Sequence, residues 1–318
     1  MPTPTLTHTI SSDNALDVTS LTTMAQDYAY RVHLAMKAAG WTCYLSSDGT
    51  ANAGASDYLS SASAFDLAAA GSGWWACYSS PAGFCAGSTV HVLLGADDAS
   101  SPYTQVEIRM ATSAYSGGSI SALPTTAGTE ITMGAAGDDW VPYTTNAVDA
   151  RYHTDVTSKG DVLVALRTAS GSYLVSLFML VGHTDTYGVG EGNYRCAIFN
   201  YAATTGVSYS HLSSSSYWLA FNSAGTTSTT ARSSSNIWVA TSWTSGASEA
   251  GTISYFPIAV LSTAAAGRDI GTLVDWYGTS PALTPGQTLD EESAQSQRLL
   301  SVGNGILILA NDADLPWS

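Results

Sequence analysis

The sequence predicts a mainly β (α+β) protein: antiparallel sheets in a sandwich, one N-terminal amphipathic helix packed on the central sheet, and a second β-rich region after it. Three observations carry this. The stretch 161–181 reads as two strands joined by a turn at Ala169-Ser170-Gly171-Ser172. Val162, Val164 and Leu166 point one way and Leu163 and Ala165 the other, while Leu174, Phe178 and Leu180 oppose Val175, Leu177, Met179 and Val181. A hairpin apolar on both faces has to be covered on both sides, which places it in the middle of the protein. Second, one stretch alone, 21–39, repeats its apolar residues at spacings of three and four. Third, short β-prone segments separated by turns fill much of the remainder, the pattern of an all-β sheet.

In chain order, residues 1–20 carry Pro2, Pro4 and many threonines without hydrophobic periodicity, and read as an extended arm suited to lie across a neighbour. The helix follows. Leu21, Met24, Tyr28, Val32, Met36 and Ala39 form its stripe, Ser20 is placed to cap it and Gly40 to end it. Trp41, Cys43 and Leu45 then alternate as a strand stopped by the turn Ser46-Ser47-Asp48-Gly49. The Ala/Ser/Gly-rich stretch 52–73 suits a short helix or an ordered loop over 58–70. Strands are predicted at 74–79, 90–94 and 105–110. Residues 116–143 form a long glycine-containing excursion, and long loops in compact domains are usually functional or contact-making. Residues 151–156 lead back into the central hairpin. Beyond Val181 come the glycine-rich loop Tyr187-Gly188-Val189-Gly190-Glu191-Gly192 and strands at 194–201, 217–221, 237–241, 253–261, 273–277 and 306–309. Residues 213–216 and 226–235 read as polar, low-complexity connectors, and 291–300 as one or two helical turns. The expected organisation is an arm over 1–20, a helix plus antiparallel β core over 21–201, and a β-rich region with an aromatic tail over 202–318.

Composition bounds the function. With 318 residues the chain needs no disulfide or metal staple. Only 11% of residues are charged, against about 25% in an ordinary soluble domain. Ser, Thr, Ala and Gly take their places, which suits a protein packed against copies of itself or other partners. A net charge of −15 repels phosphate backbones and argues against specific nucleic-acid binding. No signal peptide and no membrane-spanning run is legible, so synthesis in a cytoplasm without membrane insertion is expected. Cys43, Cys77, Cys85 and Cys196 are too scattered for a disulfide framework or a zinc site. Reduced thiols are expected; a turn at Ser80-Pro81-Ala82-Gly83 would instead set Cys77 opposite Cys85 for a cross-strand disulfide.

The chemistry-bearing residues resolve into no catalytic, cofactor or metal constellation. His153-Thr154-Asp155 and His183-Thr184-Asp185 are like triplets, yet a three-stranded meander sets His183 near Ser158 and His153 near Ala165, more than about 10 Å apart. Asp97-Asp98, Asp138-Asp139 and Asp290-Glu291-Glu292 read as turn residues and solvated charge, because sequence neighbours on a strand face opposite ways. The Gly188, Gly190, Gly192 spacing misses the dinucleotide pattern. Nine tryptophans and 17 tyrosines are enough to line a sugar-binding surface. In Trp74-Trp75 one ring is expected in the core and one outside, so Trp74, Trp75 and Trp317 are the candidate partner or glycan contacts.

The order of features is itself informative. Gly40-Trp41-Thr42 and Ser46-Ser47-Asp48-Gly49 are followed by Trp74-Trp75 and the apolar hairpin. Then come Tyr255-Phe256-Pro257-Ile258-Ala259-Val260, Gly271-Thr272-Leu273-Val274-Asp275-Trp276-Tyr277 and the close Asp314-Leu315-Pro316-Trp317. Together they resemble an uncharacterised family of virion structural proteins of tailed bacteriophages. The long Ser/Thr connectors and the insertion after Gly49 depart from that pattern. The resemblance implies a particle component in tail, neck or capsid surface, made in the host cytoplasm and acting by self-association and docking to other virion proteins; it carries over no catalytic residue. The alternatives are a host-surface glycan-binding module using Trp74-Trp75 and the loop 116–143, and a polysaccharide or peptidoglycan hydrolase.

Overall fold

The computed structural model describes residues 6–17, 21–47, 61–65, 74–84, 89–96, 106–119, 122–128, 130–133, 150–168, 174–182, 184–185, 194–202, 217–222, 227–232, 237–238, 254–262, 268–280, 287–290, 297–303 and 306–311. They form four antiparallel sheets and one α-helix, the mainly β class that the sequence predicts.

The central sheet has seven strands in the order His8–Ala15, Ala150–Thr157, Val162–Thr168, Leu174–Val181, Tyr194–Ala202, Tyr217–Asn222 and Thr227–Arg232. The apolar hairpin is third and fourth in that order. Its register pairs Val162 with Leu180 and Ala165 with Leu177. Val162, Val164, Leu166, Phe178 and Leu180 join a core with the helix, while Leu163, Ala165 and Met179 are buried on the other face.

The helix, Leu21–Ala38, forms where the spacing predicts, with Met24, Tyr28, Val32, Met36 and Ala39 buried. It ends in a Schellman motif. Gly40 takes φ +87°, its N–H bonds Lys37 O at 2.9 Å, and Trp41 N–H bonds Met36 O at 2.9 Å. Met36 and Trp41 enter the same core, the apolar contact that accompanies this cap. The helix is wedged between two sheets: the Tyr28 hydroxyl donates to Val164 O at 3.2 Å, and His33 Nδ1 lies 2.9 Å from the Tyr78 hydroxyl.

Tyr78 belongs to the five-stranded sheet Thr42–Ser46, Trp75–Ser79, His91–Ala96, Val106–Ala111 and Glu130–Met133. A bulge at Tyr44 shifts the register, so Cys43 faces Tyr78 but Leu45 faces Cys77. The extra residue turns Leu45 to the far face, away from the face that Trp41 and Cys43 share. The far face is capped by the short ribbon Tyr115–Ser116 with Thr125–Thr126.

The last sheet runs Ile237–Trp238, Ser254–Ser262, Arg268–Ser280, Ile306–Asn311, Gln297–Gly303 and Thr288–Asp290, with Thr184–Asp185 paired to Arg268–Ser280.

Four expectations are corrected. Residues 8–15 of the expected arm are an edge strand of their own chain's sheet, held by the ladder to Ala150–Thr157. The boundary expected at 201/202 is crossed, because Tyr194–Ala202 pairs with Tyr217–Asn222 in one sheet. The Thr/Ser run expected as a connector contains the strand Thr227–Arg232, whose backbone pairs regardless of side-chain polarity. In place of helical turns at 291–300, Gln297–Gly303 is a strand with Leu299 and Leu300 buried; the ladder to Ile306–Asn311 overrides the local pattern. Of the two alternatives for the cysteines, the reduced thiol is found at Cys77: Trp75–Ser79 pairs with His91–Ala96, so Cys77 faces Leu93 as a free buried thiol, and the turn closed by Phe84 N–H to Pro81 O (3.3 Å) opens a longer connection between the two strands. Cys85, the glycine-rich loop 187–192, and residues 134–143 of the long excursion lie outside the described residues.

Candidate functional site

Among the described residues, a polar cluster is buried where three elements meet. In the ladder between His8–Ala15 and Ala150–Thr157, His8 stands opposite Thr157 and Ile10 opposite Asp155. Side chains alternate along each strand, so His8 and Asp155 are diagonal neighbours on one face. The His8 Nδ1 atom lies 2.8 Å from Asp155 Oδ2 and 3.1 Å from Oδ1. On the other side of the ring, Nε2 lies 3.2 Å from Asp275 Oδ2. That carboxyl oxygen also accepts the Leu6 N–H at 2.8 Å, and Asp155 Oδ2 accepts the Trp276 indole N–H at 3.0 Å.

Asp275 and Trp276 both reach the cluster because their strand is irregular there. Asp275 sits at φ +63°, and the ladder to Ser254–Ser262 slips between Pro257 and Ala259. Strict alternation would aim the two side chains apart. A left-handed residue costs about 1–2 kcal/mol, and the bonds to His8 and Leu6 offset it here.

Burial by itself would lower the His8 pKa. The Asp155 charge and hydrogen bond, joined by those of Asp275, outweigh it and push the value up to about 10. The ring is therefore an imidazolium at neutral pH. Its side chain is fully buried and both nitrogens are engaged, so the arrangement acts as an ionic pin between elements and presents no reacting atom to a solute.

A second polar group lies on the far face of the five-stranded sheet. The Tyr44 hydroxyl accepts the Tyr115 N–H at 2.8 Å, the His91 ring meets the Tyr44 ring edge-on at 5.6 Å, and Arg109 pairs with Glu130 at 3.3 Å. Burial lowers the His91 pKa; burial, followed by the nearby Glu130, raises that of the Tyr115 hydroxyl. At the end of the central sheet, Asp161 accepts the Thr157 hydroxyl at 2.7 Å and the Gly182 N–H at 2.7 Å, which ties the end of Leu174–Val181 to the turn between Ala150–Thr157 and Val162–Thr168.

The predicted contact residues fare differently. Trp74 and Trp75 do point to opposite faces, but both are buried, at 2% and 1% exposure. Trp74 packs edge-on against Phe65 with centroids 5.0 Å apart. Trp75 is covered by the loop after Tyr115: its indole N–H donates to Ser119 O at 2.7 Å, and Gly118 lies against the ring. Neither ring is open to a glycan or a partner, since the outer face of the sheet is itself roofed. Trp317, His183 and Glu291-Glu292 lie outside the described residues. His153 pairs with Ala165 as the meander requires, and Asp155 joins His8 in place of any histidine of its own triplet.

His8 and Asp275 escaped the sequence reading because their partners lie 147 and 267 residues away. One signal was available: Asp275 interrupts the otherwise uncharged run Gly271–Tyr277. Among the described residues no group of three or more His, Cys, Asp or Glu is arranged to hold a metal ion, and no helix is long and apolar enough to cross a membrane. Compared with known protein families, curated proteins and solved structures, the chain has no match.

Proposed function

We propose that the chain is a structural subunit of a tailed-phage virion, working by symmetric self-association and docking to other virion proteins. The observation that carries this reading is the character of its sheet edges. Among the described residues, the three larger sheets end in His8–Ala15 and Thr227–Arg232, in Ile237–Trp238 and Thr288–Asp290, and in Thr42–Ser46 and Glu130–Met133. None of these six strands contains a lysine or a proline, two of the devices that keep free edges apart; Asp13, Glu130, Arg232 and Asp290 are the charged residues they carry, and the strands Thr227–Arg232 and Glu130–Met133 lie near each other in the same chain. A monomer with a charge-poor surface has reason to blunt such edges, whereas a subunit uses them. Of the two features behind the glycan-binding alternative, the Trp74-Trp75 pair is buried, and residues 134–143 of the loop 116–143 lie outside the described residues.

Size exclusion with light scattering, followed by negative-stain imaging, tests the proposal. A defined, symmetric oligomer is the expected result. A monodisperse monomer at every concentration up to that of a packed particle would overturn it.

A further inference from the structure

We propose that Arg31 is a docking residue: its guanidinium, lying over the rings of Tyr30 and Tyr152, receives a carboxylate from a second copy of the chain, a contact that rests on the subunit reading and gives it one named seam.

The helix Leu21–Ala38 is covered over most of its circumference, and Tyr30, Arg31 and Lys37 are among the residues that still reach the surface. The Arg31 Cζ atom lies 5.6 Å from the Tyr30 ring centroid and 5.2 Å from that of Tyr152, within cation–π range of both. Tyr30 comes from the helix and Tyr152 from Ala150–Thr157, so two elements hold the cation in place. Its Nε is buried 3.1 Å from Asp27 Oδ1, close enough for an ion pair but out of line for a hydrogen bond. The buried Asp27 carboxyl is itself fixed, accepting the Asp17 N–H at 2.9 Å. That ion pair uses Nε alone. Among the described residues the terminal nitrogens Nη1 and Nη2 have no hydrogen-bond or ion-pair partner, and with the side chain 30% exposed they are its polar atoms open to solvent.

A helical i,i+4 pair needs only a point charge, which lysine would supply as well. A planar cation held over two rings, with its terminal nitrogens outward, is instead suited to meet a carboxylate through two parallel N–H bonds. Its orientation is set during folding, so little side-chain freedom is lost on docking. Charge selects the partner. With 25 acidic residues against 10 basic ones, every copy carries carboxylates in excess, and a second copy supplies what Arg31 lacks. Position agrees with this, because Tyr152 stands opposite Asn14 of the edge strand His8–Ala15 and sets the guanidinium beside a free sheet edge.

Sedimentation equilibrium of the full chain measures self-association, and Arg31→Met keeps a stem over both rings while removing the charge. The dissociation constant is expected to rise at least about tenfold, with the melting temperature within a few degrees of the wild type. Arg31→Lys keeps the charge and places an amine at the site for zero-length carbodiimide coupling, which carries the test if Arg31→Met fails to fold. In a mixture of ¹⁴N- and ¹⁵N-labelled chains, residue 31 is expected to couple to an aspartate or glutamate of the other copy. Coupling confined to Asp27 of the same chain, or an unchanged dissociation constant in Arg31→Met, would overturn this contact and leave the oligomer standing. A monomeric wild type would overturn both.

Discussion

A histidine in a dry interior ordinarily gives up its proton; His8 keeps its own because two carboxylates were buried with it. The energetic consequence has a definite sign. Its pKa is about 10 in the folded chain against 6.5 when exposed, so its contribution is fully present below about pH 6.5 and is lost as pH rises through about 10. Stability from urea titrations should fall over that alkaline window, and the fall should be smaller in His8→Gln, where only the buried tyrosines and Cys77 still contribute to it. Gly182 makes a different demand on its position. A Cβ there would meet the Phe84 carbonyl oxygen and ring, so Gly182→Ala should cost about 2 kcal/mol or more, read from the urea midpoint. Neither residue announces itself locally. His8 sits in a Thr-rich stretch without periodicity, and a glycine needed for close approach looks the same in sequence as one needed for a turn.

Elements were most legible where local pattern and tertiary contact agree. The helix has a stripe, a stop glycine and an apolar residue just past it, and all three appear as expected. The bulge at Tyr44 was illegible, since Trp41, Cys43 and Leu45 alternate cleanly and only the pairing register reveals that Leu45 has changed face. The strand Thr227–Arg232 was missed for a related reason: Thr-Ser-Thr-Thr carries no hydrophobic alternation, and its neighbour Tyr217–Asn222 supplies the ladder instead. The roof over Trp75 offers a test at this scale. Trp75→Phe removes both the donor to Ser119 O and the part of the ring that lies against Gly118, and should cost about 2–3 kcal/mol. Faster amide exchange confined to the 115–126 segment is the expected signature.

For the molecule as a whole, the helix and the five-stranded sheet cover one face of the central sheet, and Trp276 reaches the Asp155 side of the other. The hairpin's two apolar faces made that requirement readable from sequence. What covers each face was not readable, because it depends on pairings such as Leu6 with Asp275, 269 residues apart. Assembly is tested at the edges. Thr9 and Thr42 are exposed on edge strands, so Thr9→Lys and Thr42→Lys place a charge at two candidate seams. At least one should shift the light-scattering mass towards monomer while leaving the melting temperature within a few degrees.

The His8–Asp155–Asp275 cluster also fixes an order of events during synthesis. His8 leaves the ribosome 267 residues ahead of Asp275. At about 5–20 residues per second that is a wait of roughly 15–50 s, during which the strand His8–Ala15 has a carboxylate for one side of its ring at most. Pairing with Ala150–Thr157 closes a loop of well over a hundred residues, so it comes late and slowly compared with the neighbouring hairpins. His8–Ala15 therefore stays unpaired until residues 150–157 emerge, and the His8 ring gains its second carboxylate only when residue 275 does.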